Sequence, residues 1–221
     1  MKRTSLLLLT IFGLLLAVYV SGCATLGDSQ DPLSGLSVPS SSVSLGNFVE
    51  RSDTKILLDV PFLPQVAPGN WSNTRNCGQT SAVMIRAYYQ GTEPTSSDII
   101  AADQWLASNY GISLNGGNSD WTNCFQIRGW LESENVPVKV GMGNLDRLRS
   151  FLREGKPVLV AVYSGMNPNG GAKHAMVAVG IDATSVYVND PGKVNGANNT
   201  YSIAQFVSAW QAQGNWYVAL E

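Results

Sequence analysis

Three runs rich in β-branched and small apolar residues succeed one another in the second half of the chain: PVLVAVY from Pro157, HAMVAVGI from His174 and SVYVND from Ser185. Each predicts a strand. The last two are separated only by a few residues around DATS, which predicts a hairpin. Upstream the pattern is helical. Cys77 opens a run whose Ala82, Val83, Ile85 and Ala87 would pack inward, SSDIIAADQWLASNY predicts a second helix capped by Ser96 or Ser97, and TNCFQIRGWLESE a third. KILLDVPFL is expected to be a short strand broken by Pro61 and Pro64, and VPVKVGM another. NLDRLRSFLREG predicts a helix capped by Asn144 and stopped by Gly155; SIAQFVSAW predicts a helix and NWYVALE a closing strand. Helices first and mostly antiparallel strands later give an α+β class in two packed lobes.

The first 22 residues belong to a different kind of segment. A basic leader, MKRTS, precedes the apolar run from Leu6 to Val20 and a small-residue site ending at Cys23. That order is a secretory signal, and the apolar run is short for the roughly 20 residues a membrane-spanning helix needs. The cysteine at the cleavage point resembles the lipobox of bacterial lipoproteins, which implies acylation of Cys23, anchoring to a membrane and a place in the bacterial cell envelope facing the exterior or periplasm. From Cys23 to Thr54 the Ser-, Gly- and Pro-rich sequence reads as a flexible tether. Lys55 to Glu221 is enough for one domain with a single core.

Charge excludes one class of partner. Of 14 basic residues, Lys2 and Arg3 fall in the leader, leaving 12 against 16 acidic ones. A nucleic-acid-binding face would need the opposite balance. One histidine in the whole chain argues against a His-built zinc site, and no cofactor is expected. The domain is expected to act as a monomer.

The chemistry rests on Cys77, His174 and Asp190. At a helix start, the orphan amide groups and the helix dipole favour a thiolate, and Gly78 beside it would let a substrate approach closely. Export permits disulfides, so a Cys77–Cys124 bridge competes with this reading. The helical spacing of Cys124, Ile127 and Leu131 instead predicts Cys124 to be a buried free thiol. His174, where a Gly-rich loop enters a strand, is the one imidazole available as a base; a lone histidine is more often a satisfied strand-end residue. Asp190, in NDPG, is a turn residue by its neighbours, yet the hairpin brings it to the same end as His174. Register decides whether the two can meet. A two-residue loop at Ala183 and Thr184 would set Asp190 opposite Val177, on the wrong face. A three-residue loop, or a two-residue loop with one bulge, would set it opposite Met176 and on the same face as His174. Gln65, twelve residues before Cys77, could donate to a developing oxyanion.

The ordered segments DVPFLPQ, NCGQTSAVM, GKPVLVAV, HAMVAVGID and VYVNDPG resemble the peptidase C39-like group of papain-fold proteins, from about Ile56 to Glu221. The resemblance implies a papain-like fold and a cysteine peptidase acting on peptide or protein substrates. Its Gln, Cys, His and Asp positions map onto Gln65, Cys77, His174 and Asp190. The Gln-to-Cys interval, with VAPGNWSNTR inserted, is longer than the family's. The leader-processing task of the transporter-fused founding members is not carried over. A reading of another class keeps the shape without the chemistry: a surface lipoprotein that binds peptides or glycans, for which the six tryptophans would supply contact area if they are not simply core.

Overall fold

The computed structural model describes residues 54–65, 75–112 and 122–221. The leader, Cys23 and the tether up to residue 53 lie outside the described residues, as do 66–74 of the insertion before Cys77 and 113–121 of the loop after the second helix. Among the described residues no helix is long and apolar enough to cross a membrane.

The chain runs β1 (Ile56–Leu57), α1 (Cys77–Gln90), α2 (Ser96–Tyr110), α3 (Cys124–Ser133), β2 (Val138–Met142), α4 (Leu145–Arg153), β3 (Val158–Tyr163), a 3-10 turn (Ser164–Met166), β4 (Lys173–Ile181), β5 (Ser185–Asn189), β6 (Asn199–Ser202), α5 (Ile203–Gln211) and β7 (Trp216–Leu220). The expected α+β order holds. The strands form one antiparallel sheet in the order β2-β7-β3-β4-β5-β6, with β1 lying along the far end of β4 beyond the start of β3.

The sheet is covered on both faces, which is why its central strands read as continuous apolar runs. Leu159, Val177, Val179 and Val218 pack toward Ala82, Val83, Met84 and Ile85 of α1 and Ile127, Trp130 and Leu131 of α3. The alternate positions Val160, Val162, Met176, Ala178 and Ala219 pack on the other face with Leu148, Phe151 and Leu152 of α4 and Phe206 and Trp210 of α5. Helix α1 is the pivot. Its first six residues are all buried, and so are Val83, Met84, Ile85 and Ala87, so it is enclosed rather than amphipathic.

Local capping follows the side chains. Asn144 and Asn123 accept the second- or third-residue amides of α4 and α3. Helix α2 starts one residue earlier than the expected Ser96 or Ser97 cap. The Asp98 carboxylate accepts from both the amide and the hydroxyl of Thr95, a Thr-x-x-Asp box that recruits Thr95 as the cap. Strand β1 is shorter than the expected KILLDVPFL. After Leu57 a single hydrogen bond, from the Leu58 amide to the Val179 carbonyl, continues the contact before the proline-bearing segment leaves the sheet. Strand β6, NTYS, carries no apolar run and is held as an edge strand by its pairing with β5.

One buried charge in the helical lobe works against stability. Asp103 of α2 is enclosed, with its Oδ1 lacking a hydrogen-bond partner among the described residues. Burial raises its pKa to about 6, against a smaller opposing effect of a hydrogen bond from Gln79. A carboxyl whose folded value lies above its unfolded value of 3.8 contributes stability below that value and loses it as pH rises through about 6. The stability difference between wild type and Asp103→Asn, read from urea midpoints at pH 4 and pH 8, is therefore expected to move in favour of the variant by on the order of 2 kcal/mol. A pH-independent difference would show that Asp103 does not ionise in place.

Candidate active site

Cys77 is the first residue of α1, so its amide is one of the unpaired donors at the helix start. It is nearly buried, at 5% exposure, and is a free thiol, as is Cys124; the alternative bridge between them is not formed. Gly78 has a different use from the one expected. A Cβ there would run into the Thr122 hydroxyl and touch Ile127, so the missing side chain lets the start of α1 pack closely beside the start of α3.

The β4–β5 hairpin resolves the register question. Its loop is the two-residue one: Ile181 pairs with Val186 and Gly180 with Tyr187, and the Asp182 amide donates to the Ser185 carbonyl. Asp182 Oδ1 in turn accepts from the Thr184 and Ser185 amides, which holds the turn closed. Beyond it, Ala178 pairs with Val188 and Val177 with Asn189, leaving Val179 as an extra residue. This bulge shifts the register by one and carries Asp190 onto the face of His174. It occurs where β1 crosses: a Cβ on Gly180 would lie 2.5 Å from the Ile56 carbonyl oxygen.

His174 Nε2 and Asp190 Oδ1 are 2.6 Å apart, with both side chains largely buried. His174 is also hydrogen-bonded to Cys77, and Nδ1 is the ring nitrogen left for that contact. Burial by itself pushes the imidazole pKa down. The hydrogen bonds to Asp190 and Cys77 and their charges outweigh it, raising the value to about 9. Burial likewise pushes the Asp190 carboxyl up, but His174, the Gly192 amide and Lys193 together hold it below the usual carboxylate range. Gly192 donates to Oδ1 at 3.0 Å and Lys193 Nζ stands 3.6 Å from Oδ2, itself steadied by Asn199 and the Tyr201 hydroxyl. Neither Gly192 nor Lys193 was identified from the sequence; their proximity to Asp190 in the DPGK turn was the available signal.

Asn189 faces away from the imidazole. Its Nδ2 donates to the Val60 carbonyl and its Oδ1 accepts from the Asn198 amide. The bond to Val60, with one from the Gln65 amide to the Pro191 carbonyl at 2.8 Å, ties the segment carrying Gln65 against the Asp190 turn. The backbone of Gln65 is thus held next to the Asp190 turn.

Asp190 itself is held by a tight loop, its amide donating to the Gly196 carbonyl. A Cβ at Gly196 would collide with the Asp190 carbonyl. Gly196→Ala is expected to displace the loop and lower any activity that depends on the His174–Asp190 pair at least about tenfold, with far-UV circular dichroism unchanged. Wild-type activity in that variant would show that the loop does not control Asp190.

A cavity of about 480 Å³ opens beside Cys77 and His174. Its floor includes Leu159, Ala161, Ala175 and Ile127, and Phe125 and Trp216, packed edge to face at 5.9 Å, stand at its side. Cys124 lines it as well. It is half-buried rather than buried as expected, because it is the first residue of α3, one turn before the core-facing Ile127, where the core gives way to the cleft. Burial pushes its thiol up. No charged residue other than Lys173 and His174 lines the cavity among the described residues.

Known proteins share this arrangement of elements. The structure resembles that of a chain described as a C39-like peptidase from Bacillus anthracis, with a TM-score of 0.56 at 20% identity, covering 76% of this chain and 98% of that one. It also resembles a double-glycine-motif protease from an AMS/PCAT transporter solved with a leader peptide (TM-score 0.51, 16% identity, 76% and 97% covered). A third similar structure is the peptidase domain of Streptococcus ComA, a bifunctional ABC transporter of a quorum-sensing pathway (0.51, 15%, 73% and 98%). At these identities the likeness establishes a papain-like peptidase fold. No curated protein matches the chain. The sequence profile of the Peptidase_C39 like family, however, matches residues 57–218, and the chain belongs to that family.

Proposed function

We propose that this protein is a cysteine peptidase that cleaves peptide bonds through Cys77, His174 and Asp190 while tethered to a membrane of the bacterial envelope by a lipid on Cys23. The observation that carries the chemistry is the imidazole of His174, 2.6 Å from Asp190 on one side and hydrogen-bonded to Cys77 on the other, at the edge of an open cavity.

In this reading His174 Nδ1 takes the Cys77 proton and the thiolate attacks the substrate carbonyl carbon. The helix start favours the anion. The Cys77 amide, with the Gln65 side chain, donates to the carbonyl oxygen as it gains charge. Asp190 holds the ring orientation and stabilises the imidazolium. The imidazolium then protonates the leaving amine, the C–N bond breaks, and an acyl-thioester remains. Water, deprotonated by the same ring, attacks the thioester and releases the carboxylic acid and the Cys77 thiol.

Alkylation of Cys77 by iodoacetamide at pH 7, followed by mass spectrometry, tests this reading. Fast labelling that slows at least about a hundredfold in His174→Ala supports it, whereas slow labelling in the wild type counts against a hydrolase. The anchor is tested by fractionating cells that express Cys23→Ala. The variant is expected to accumulate unprocessed or to leave the membrane fraction. Normal processing with membrane retention would argue instead for an apolar anchor over Leu6 to Val20.

A further inference from the structure

Lys173 precedes the candidate base and has no place in the chemistry just described. It pairs across the sheet with Tyr163, as Ala175 pairs with Ala161 and Val177 with Leu159. Ala161, Ala175 and Leu159 are cavity-lining residues. Lys173, exposed at the start of β4, lines the cavity together with its neighbour His174 and with Ala175.

Its charge is unbalanced there. Among the described residues Lys173 enters no ion pair, and no Asp or Glu lines the cavity. The other charges close by compensate one another. Cys77 and His174 exchange a proton within their own pair, and Asp190 sits between His174 and Lys193. What remains among the described residues is the exposed Lys173 beside an apolar floor.

The rim also offers neutral donors. The Asn123 side-chain oxygen is occupied by the Phe125 and Gln126 amides, which leaves its amide nitrogen as a donor. Gln213 supplies a second side-chain amide at the cavity wall. An apolar floor, a cation and amide donors match a side chain with a methylene stem and a terminal carboxylate. A lysyl or arginyl side chain would meet like charge with no acid among the described lining residues to offset it.

We propose that this cavity is an acid-selective substrate subsite, with Lys173 as its specificity-determining residue, so that peptides presenting a glutamyl or aspartyl side chain next to the reacting bond are preferred. This rests on the peptidase reading for the identity of the site, and its test is a binding measurement that needs no turnover.

Blocked hexapeptides, in which Glu, Gln or Lys is walked through each position, are titrated calorimetrically against full-length Cys77→Ala protein and against Cys77→Ala/Lys173→Glu. At one position the Glu peptide is expected to bind about tenfold tighter than its Gln counterpart, the gain of a charge pair in a half-open cleft, with Lys weakest. Adding Lys173→Glu should invert that order, and 0.5 M salt should shrink the Glu-over-Gln ratio. A series with no position that favours Glu, or an order unchanged by Lys173→Glu, overturns the proposal. Iodoacetamide labelling of wild-type Cys77 is read separately. Slow labelling beside a charge-selective titration would reject the peptidase and keep the acid-selective cavity; fast labelling without selectivity would do the reverse.

Discussion

Cys77→Ala is expected to lower kcat/KM for a fluorogenic peptide substrate by at least about four orders of magnitude, and His174→Ala by a similar factor. The two losses should not add. A nucleophile without its base and a base without its nucleophile are equally idle, so the double variant should be no worse than either single one. The structure makes a folding artefact easy to exclude. Cys77 is buried at the helix start but borders a cavity, and the change to Ala removes a single sulfur atom. Urea midpoints within about 1 kcal/mol of wild type should accompany the lost activity. Residual turnover above about one per cent in Cys77→Ala would mean that another group attacks the substrate. Cys124, on the same cavity, would then be the first to examine.

Asp190→Asn is expected to cost about 10²–10⁴ in kcat/KM and to change the pH profile in a particular direction. Burial alone pushes the His174 imidazole down; Asp190, together with Cys77, raises it to about 9. In the wild type the imidazolium, and with it the activity, should persist until pH rises through about 9. With an amide at position 190 the burial effect is less opposed, so the alkaline limb should move to lower pH. Stability should follow the same pair. A histidine raised above its unfolded value of 6.5 stabilises the fold fully below that value and stops doing so as pH rises through about 9. A carboxyl held below its ordinary 3.8 stabilises above that value and stops as pH falls. The wild-type advantage over Asp190→Asn should therefore be confined to the window between roughly pH 4 and pH 9. An alkaline limb that stays at about 9 in the variant would remove Asp190 as the orienting group.

Much of this architecture was legible without coordinates, and the reason is that the signals were local. Asn144 caps α4 because an asparagine side chain reaches the amide three residues on, whatever else surrounds it. The runs PVLVAVY and HAMVAVGI became β3 and β4 because β-branched and small residues, covered on both faces, have few other uses. Thr95, not Ser96 or Ser97, caps α2, and its signal, Asp98 three residues later, is equally local.

The same limit explains what was missed. Cys124 has helical spacing with Ile127, and the spacing is real, but it carries no information about where a core ends and a cleft begins. Gly78 has the pattern of room for a substrate and is room for Thr122, from the segment that leads into α3. Gln65 is beside the Asp190 turn only because Asn189 and Pro191 hold its segment there.

The order of Cys77, His174 and Asp190, the helix that begins at Cys77 and the hairpin that returns Asp190 toward His174 are properties of the sequence, since each follows from residues a few positions apart. Whether the hairpin would bring the carboxylate to the imidazole or turn it to the opposite face hung on a single residue of register. That residue is Val179, bulged where the backbone of β1 presses against Gly180. The bulge lies where β1, more than a hundred residues away in the chain, pairs with β4, and a shift of one residue in register is a property of the assembled sheet.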